Sequence, residues 1–196
     1  MSEELAQAYK LIADLLSYPE EMDVKGLQTT SQEVADGLKP QDPEAADLIR
    51  SFARDLGSVT AEYYVEVFEL APQCSLYLGS YGLPEPETCS SLGTSERNQL
   101  FMEMANIYRH YGLSLGGKEL PDFLPAVVEF LWLTEDREDG EPRGTLIAEF
   151  VLPYLPKMRR GLEEIGSPYA KLLRALEALL KLEVSARQES HAKPVG

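Results

Sequence analysis

Apolar residues recur along most of the chain every three or four positions, the period of a helix with one buried face. Leu5, Tyr9, Ile12, Leu15 and Leu16 set a first helix, which Pro19 stops. Leu27, Val34 and Leu38 mark a second, weaker helix, with Pro40 and Pro43 bracketing its exit. Asp42 is placed to cap a third, which carries Ala46, Ile49, Phe52, Ala53 and Leu56 and ends at Gly57. Thr60 is a cap for a fourth, bearing Tyr64, Val67 and Phe68. From Pro72 to Gly93 the pattern breaks into Pro and Gly among Ser, Tyr and Thr, which predicts a long loop. Thr94 or Ser95 then caps a fifth helix with Leu100, Met104, Ile107, Tyr108 and Tyr111, closed by Gly112. Pro121 is expected in the first turn of a sixth, which buries Leu124, Val127, Val128, Leu131 and Trp132. After an acidic loop, Glu135 to Glu141, a seventh helical region runs from about Thr145 to Ile165, broken or kinked by Pro153 and Pro156. Ser167-Pro168 starts the eighth, with Leu172, Leu173, Leu176, Leu179 and Leu180 inside.

No stretch alternates as a strand would, and no repeat is visible. The expected fold is therefore all-α: a single-domain bundle of about eight helices with a long Pro/Gly loop between helices four and five. The domain is expected over residues 1–184, and residues 185–196 are expected to be a disordered tail.

Charge narrows the possible partners. Eighteen Lys and Arg stand against 33 Asp and Glu, a net charge of −15. Such a surface repels nucleic acid and anionic membranes and favours a basic peptide or protein segment. The N-terminus is acidic where a signal peptide would be basic, and the apolar run Leu124 to Leu133 is too short to span a bilayer and is broken by Glu129. The protein is thus expected in the cytoplasm, without membrane insertion.

Catalytic chemistry is hard to assemble from these residues. Cys74 and Cys89 have no CxxC spacing, and His110 and His191 lie far apart in sequence, so no metal site, cofactor or nucleophile–base pair is expected. Gly112-Leu113-Ser114-Leu115-Gly116-Gly117-Lys118 has the G-x-x-x-x-G-K spacing of a phosphate loop. Glu119 occupies the position of the magnesium-binding Ser or Thr, however, and a helix rather than a strand precedes the motif. Asp122 and Glu129 share a helix face, which is more often a solvated or cation-binding stripe than acid/base machinery.

Four ordered segments resemble the redox-enzyme maturation chaperones, the family that includes the nitrate reductase delta-subunit chaperones and those of trimethylamine-N-oxide and dimethyl-sulfoxide reductases. They are Leu15-Leu16-Ser17-Tyr18-Pro19; Tyr64-Val65-Glu66-Val67-Phe68-Glu69 leading into Ser75-Leu76-Tyr77-Leu78-Gly79-Ser80-Tyr81; Glu119-Leu120-Pro121-Asp122-Phe123-Leu124-Pro125 followed by Glu129-Phe130-Leu131; and Ser167-Pro168-Tyr169-Ala170. The third segment matches the family's Glu-Leu-Pro-Asp-His-Leu-Pro except that Phe123 replaces the histidine, so any role of that imidazole is absent here. The resemblance implies an all-helical, non-catalytic chaperone. Such a chaperone binds the N-terminal or leader segment of a molybdenum oxidoreductase catalytic subunit, often a twin-arginine signal, and holds the apoenzyme for cofactor insertion.

An apolar groove with acidic edges suits such a segment, because apolar anchors supply affinity and carboxylates accept hydrogen bonds from arginines. The candidate peptide-binding residues are Tyr64, Phe68, Glu69, Tyr77, Ser80, Tyr81, Glu119, Pro121, Asp122, Leu124 and Glu129. The protein is expected to be a monomer, or a dimer that swaps helices across the long loop. A helical enzyme with a carboxylate or nucleotide site, and a structural subunit of a redox complex, are the alternatives.

Overall fold

The computed structural model describes residues 3–20, 23–70, 72–83, 95–117, 119–137 and 140–192. Among these residues nine helices form: α1 (Glu3–Leu16), α2 (Val24–Leu38), α3 (Pro43–Asp55), α4 (Ala61–Phe68), α5 (Glu96–His110), α6 (Leu124–Leu133), α7 (Glu141–Thr145), α8 (Leu155–Glu164) and α9 (Tyr169–Ala192). The all-helical fold is as expected. No described helix is long and apolar enough to cross a membrane.

Local chemistry sets the starts of several helices. The carboxylate of Asp42 accepts from the Ala45 N–H, the hydroxyl of Thr60 from Tyr63 N–H and that of Ser95 from Asn98 N–H. Each satisfies a backbone donor that has no partner inside its helix. Asp23 does the same for α2 through the Gly26 N–H. Gly112 ends α5 at φ 73°, a left-handed conformation that glycine adopts without cost.

The seventh helical region breaks as expected, whereas the start of α6 and the extent of α9 differ from expectation. The predicted seventh helix is divided. After α7 the backbone widens over Leu146–Val151 into a π-helical stretch, with the Leu152 N–H donating to the Ile147 carbonyl at 2.9 Å. Pro153 has no N–H to carry the ladder on, and Pro156 sits in the first turn of α8. Helix α6 begins at Leu124, with Phe123 as its cap and Pro125 in its first turn, so Pro121 lies ahead of the helix rather than in it. The cause is long-range. Leu78 N–H donates to the Asp122 carbonyl at 3.0 Å and Leu124 N–H to the Leu76 carbonyl at 2.9 Å, holding Phe123 extended in a bridge to Tyr77. Helix α9 continues through Ala192, past position 185 where the tail was expected to begin.

Helix α1 packs on α6 and α2, α3 on α2 and α9, and α8 on α9. One polar assembly sits within this packing. Arg143 of α7 and Glu183 of α9 are each 1% exposed. The guanidinium meets the carboxylate twice, Nε to Oε1 at 2.6 Å and Nη2 to Oε2 at 3.0 Å. Its remaining donor, Nη1, reaches the Thr134 hydroxyl at 2.7 Å and the Leu131 carbonyl. Tyr9 of α1 donates to Glu183 at 2.9 Å, and Arg187 adds a second cation at 2.9 Å. Four helices and the turn after α6 are thus joined by one network, in which two guanidinium groups share a single carboxylate.

Candidate functional site

The four segments that carry the family resemblance fold into two knots. In the first, the Tyr169 ring lies 4.8 Å from Phe68, 5.5 Å from Phe52 and 6.4 Å from Tyr63, which stacks on it nearly parallel. Tyr64 packs 5.0 Å from Phe68, receives the edge of Tyr18 at 5.5 Å and donates its hydroxyl to the Leu16 carbonyl at 3.2 Å. Tyr63 donates to the Ser167 hydroxyl at 2.9 Å. The end of α1, α4 and the start of α9 are fixed to one another here.

In the second knot, Asp122 is fully buried and accepts the Gly79 N–H at 2.8 Å. A Cβ on Gly79 would stand 3.0 Å from that carboxylate oxygen, so glycine permits the close approach. Tyr108 donates to the Pro121 carbonyl at 2.7 Å, Tyr77 to Glu119 at 2.6 Å, and the Tyr77 ring packs 5.2 Å from Phe123. Burial, the hydrogen bond to Glu119 and the nearby carboxylates push the Tyr77 phenol up to about 12. Tyr81 bonds the Cys74 thiol and the Ser75 carbonyl, each at 2.9 Å. The first part of the predicted loop, residues 72–83, is therefore folded onto the bundle, while residues 84–94, including Cys89 and Thr94, lie outside the described residues.

The candidate residues consequently separate. Tyr64, Phe68, Leu124 and Asp122 are buried and face the core; Tyr77 and Tyr81 are half-buried joints, as is Pro121. Glu69, Ser80, Glu119 and Glu129 are exposed.

Replacing Asp122 with Ala is expected to cost about 1–3 kcal/mol, because it strands a buried N–H. Urea denaturation would measure the loss, and Asp122→Asn, which keeps an acceptor, should recover most of it. Burial raises the Asp122 carboxyl above its usual 3.8, against the opposing pull of Gly79 N–H and Arg97. Its contribution is then greatest below that usual value and is lost as pH rises through the raised one, so Asp122→Asn should flatten this part of the stability profile.

The concave surface lies beside this knot. A cleft of about 380 Å³ is bounded by Ala13, Asp14 and Ser17 of α1, by Leu115, Gly116 and Glu119 of the α5–α6 connection, and by Phe123, Pro125, Ala126, Glu129 and Trp132. A second depression of about 230 Å³ adjoins it, sharing Leu115, Ala126 and Glu129 and adding Tyr108, Leu113, Phe130 and the exposed Leu133. The floor is apolar, and Asp14, Glu119 and Glu129 supply carboxylates. Lys10, paired to Asp14 at 2.7 Å, lies 5.3 Å over the Trp132 ring. Of the residues that line this cleft, Glu119 and Glu129 are among the candidates named from the sequence, whereas Asp14, Leu115 and Ala126 are not. Helix α1 was read only for its core face, and nothing local announces that it packs on α6. The Gly112–Lys118 stretch follows a helix and lends Leu113, Ser114, Leu115 and Gly116 to these walls; Lys118 lies outside the described residues. Among the described residues no three His, Cys, Asp or Glu side chains gather as a metal site.

No protein-family model matches the chain. In comparison with curated proteins the chain is similar over nearly its whole length to cofactor-assembly chaperones, which supports the resemblance to the redox-enzyme maturation chaperones. It is 27% identical over 180 residues, covering 90% of this chain and 69% of the relative, to the nitrate reductase molybdenum cofactor assembly chaperone NarJ of Escherichia coli strain K12. It is 24% identical over 176 residues, 88% of each chain, to the probable nitrate reductase molybdenum cofactor assembly chaperone NarJ of Bacillus subtilis strain 168.

Proposed function

We propose that this chain is an assembly chaperone for a molybdenum oxidoreductase, acting by binding rather than by catalysis. Its ligand on this reading is the N-terminal or leader segment of the enzyme's catalytic subunit, held in the cytoplasm until the molybdenum cofactor has been inserted. The observation that carries the reading is the cleft between α1 and α6. Its apolar floor accepts the apolar side of an amphipathic segment, and Glu119 and Glu129 accept its cations. The similarity to nitrate reductase cofactor-assembly chaperones supports the choice of partner.

Burial of Leu115, Phe123 and Trp132 under the segment would supply most of the affinity, and the carboxylates would set encounter rate and selectivity. Phe123, standing where the family has histidine, gives this wall an apolar surface without a titrating group.

Trp132 is the only tryptophan in the chain, so its fluorescence reports on the cleft directly. A peptide copying the first residues of a molybdoenzyme catalytic subunit from the same cells is expected to change that emission saturably, with affinity falling as salt is raised. Glu119→Lys with Glu129→Lys should weaken binding by about tenfold or more. Unchanged emission with such peptides, together with failure to recover any molybdoenzyme subunit by affinity capture from cells unable to make the cofactor, would overturn the reading.

A further inference from the structure

The face of α4 turned away from the core forms a second acid-flanked depression, of about 480 Å³, that the cleft does not include. It is lined by Tyr18, Ala61, Glu62, Val65, Glu66 and Leu70. Leu70 is 74% exposed and Tyr18 44%, so two large apolar side chains stand in solvent beside Val65. Tyr18 is not loose there, since its ring edge rests on Tyr64 at 5.5 Å. Leu70 is likewise held, its N–H donating to the Val65 carbonyl at 2.9 Å.

The charges around this apolar strip are all of one sign. Glu62 and Glu66 are one helical turn apart on the same face, an arrangement in which like charges repel. Among the described residues neither has a Lys or Arg partner. In the sequence no Lys or Arg occurs between Arg54 and Arg97, or between Lys10 and Lys25, the two stretches that supply every residue of the depression. Lys10 shows the contrast: it pairs with Asp14 at the main cleft, but no comparable cation comes from the elements lining the α4 face.

We infer that the α4 face is a second docking surface, separate from the cleft, for a cationic amphipathic segment of a partner protein. An aliphatic or aromatic side chain of that segment would lie between Tyr18 and Leu70 over Val65, and its lysines or arginines would pair with Glu62 and Glu66. Ser17 lines the cleft and Tyr18 this depression, so the two surfaces meet at the end of α1.

The test uses the whole chain, isotope-labelled, with a short synthetic peptide of leucine and lysine at helical spacing and a counterpart in which glutamate replaces lysine. The lysine peptide is expected to shift the amide resonances of residues 61–70 and of Tyr18, less so at high salt, whereas the glutamate peptide should leave them in place. Glu62→Lys with Glu66→Lys should weaken this response by about tenfold, and Leu70→Ser should weaken it separately. The lysine-peptide response of Trp132 fluorescence should survive both changes. Shifts confined to the cleft, an equal response to the glutamate peptide, or insensitivity to both sets of substitutions would overturn the proposal. Shifts at 61–70 that depend on protein concentration without peptide would also overturn it, assigning the face to a second copy of this chain.

Discussion

Replacing Glu183 with Leu is expected to lower the folding free energy by about 3–5 kcal/mol, because it leaves a buried guanidinium without its carboxylate. Arg143 is almost fully enclosed, and only the Thr134 hydroxyl and the Leu131 carbonyl would remain to it. The Tyr9 hydroxyl would lose its acceptor as well. Arg143→Met should cost less, since Glu183 keeps Arg187 at 2.9 Å. The double substitution Arg143→Met with Glu183→Leu should recover much of the loss, as buried ion pairs replaced by apolar groups of similar volume usually do. Urea denaturation of the three variants checks this, and a double variant no more stable than Glu183→Leu alone would show that the network supplies net stability rather than fixing one arrangement. The pH dependence has a definite sign. Burial alone would raise the Glu183 carboxyl, but its hydrogen bond and attraction to Arg143, with Arg187 and Tyr9, hold it below the usual 4.5. The stabilisation is therefore complete above 4.5 and is lost as pH falls through the lower folded value.

Tyr169→Ala is expected to cost a similar amount, about 3–5 kcal/mol, because it empties the centre of the aromatic knot. Phe52, Tyr63, Tyr64 and Phe68 all pack on that ring, and through it α3 and α4 are held against the start of α9. Tyr169→Phe should be neutral or mildly stabilising, since the Tyr169 hydroxyl is buried and has no hydrogen-bond partner among the described residues. Thermal unfolding of the pair separates ring from hydroxyl: a Phe variant as unstable as the Ala variant would mean that the hydroxyl is satisfied in solution.

What the sequence could and could not reveal follows from the range of the forces involved. Caps at Asp42, Thr60 and Ser95 were legible because a side chain and the N–H it satisfies lie three residues apart. The breaks at Pro153 and Pro156 were legible because proline acts on its own turn. The start of α6 was misplaced because Leu76 and Leu78, more than forty residues earlier, bond to Leu124 and Asp122 and hold Phe123 between them extended. Helical spacing also placed Tyr64, Phe68 and Leu124 on apolar faces without saying whether those faces meet the core or a ligand, and all three meet the core. The exposed strip of α4 is the opposite face of the same turns. Arg143 carried no sequence signal at all, since its partner lies forty residues away at Glu183.

The placement of α9 governs the order in which the protein can be completed during synthesis. Tyr9 waits for Glu183, 174 residues later, and α3 waits for the same helix. The helices made first can therefore close on one another only in part until α9 has been made. Their full closure depends on α9 seating against α1, α3 and α8.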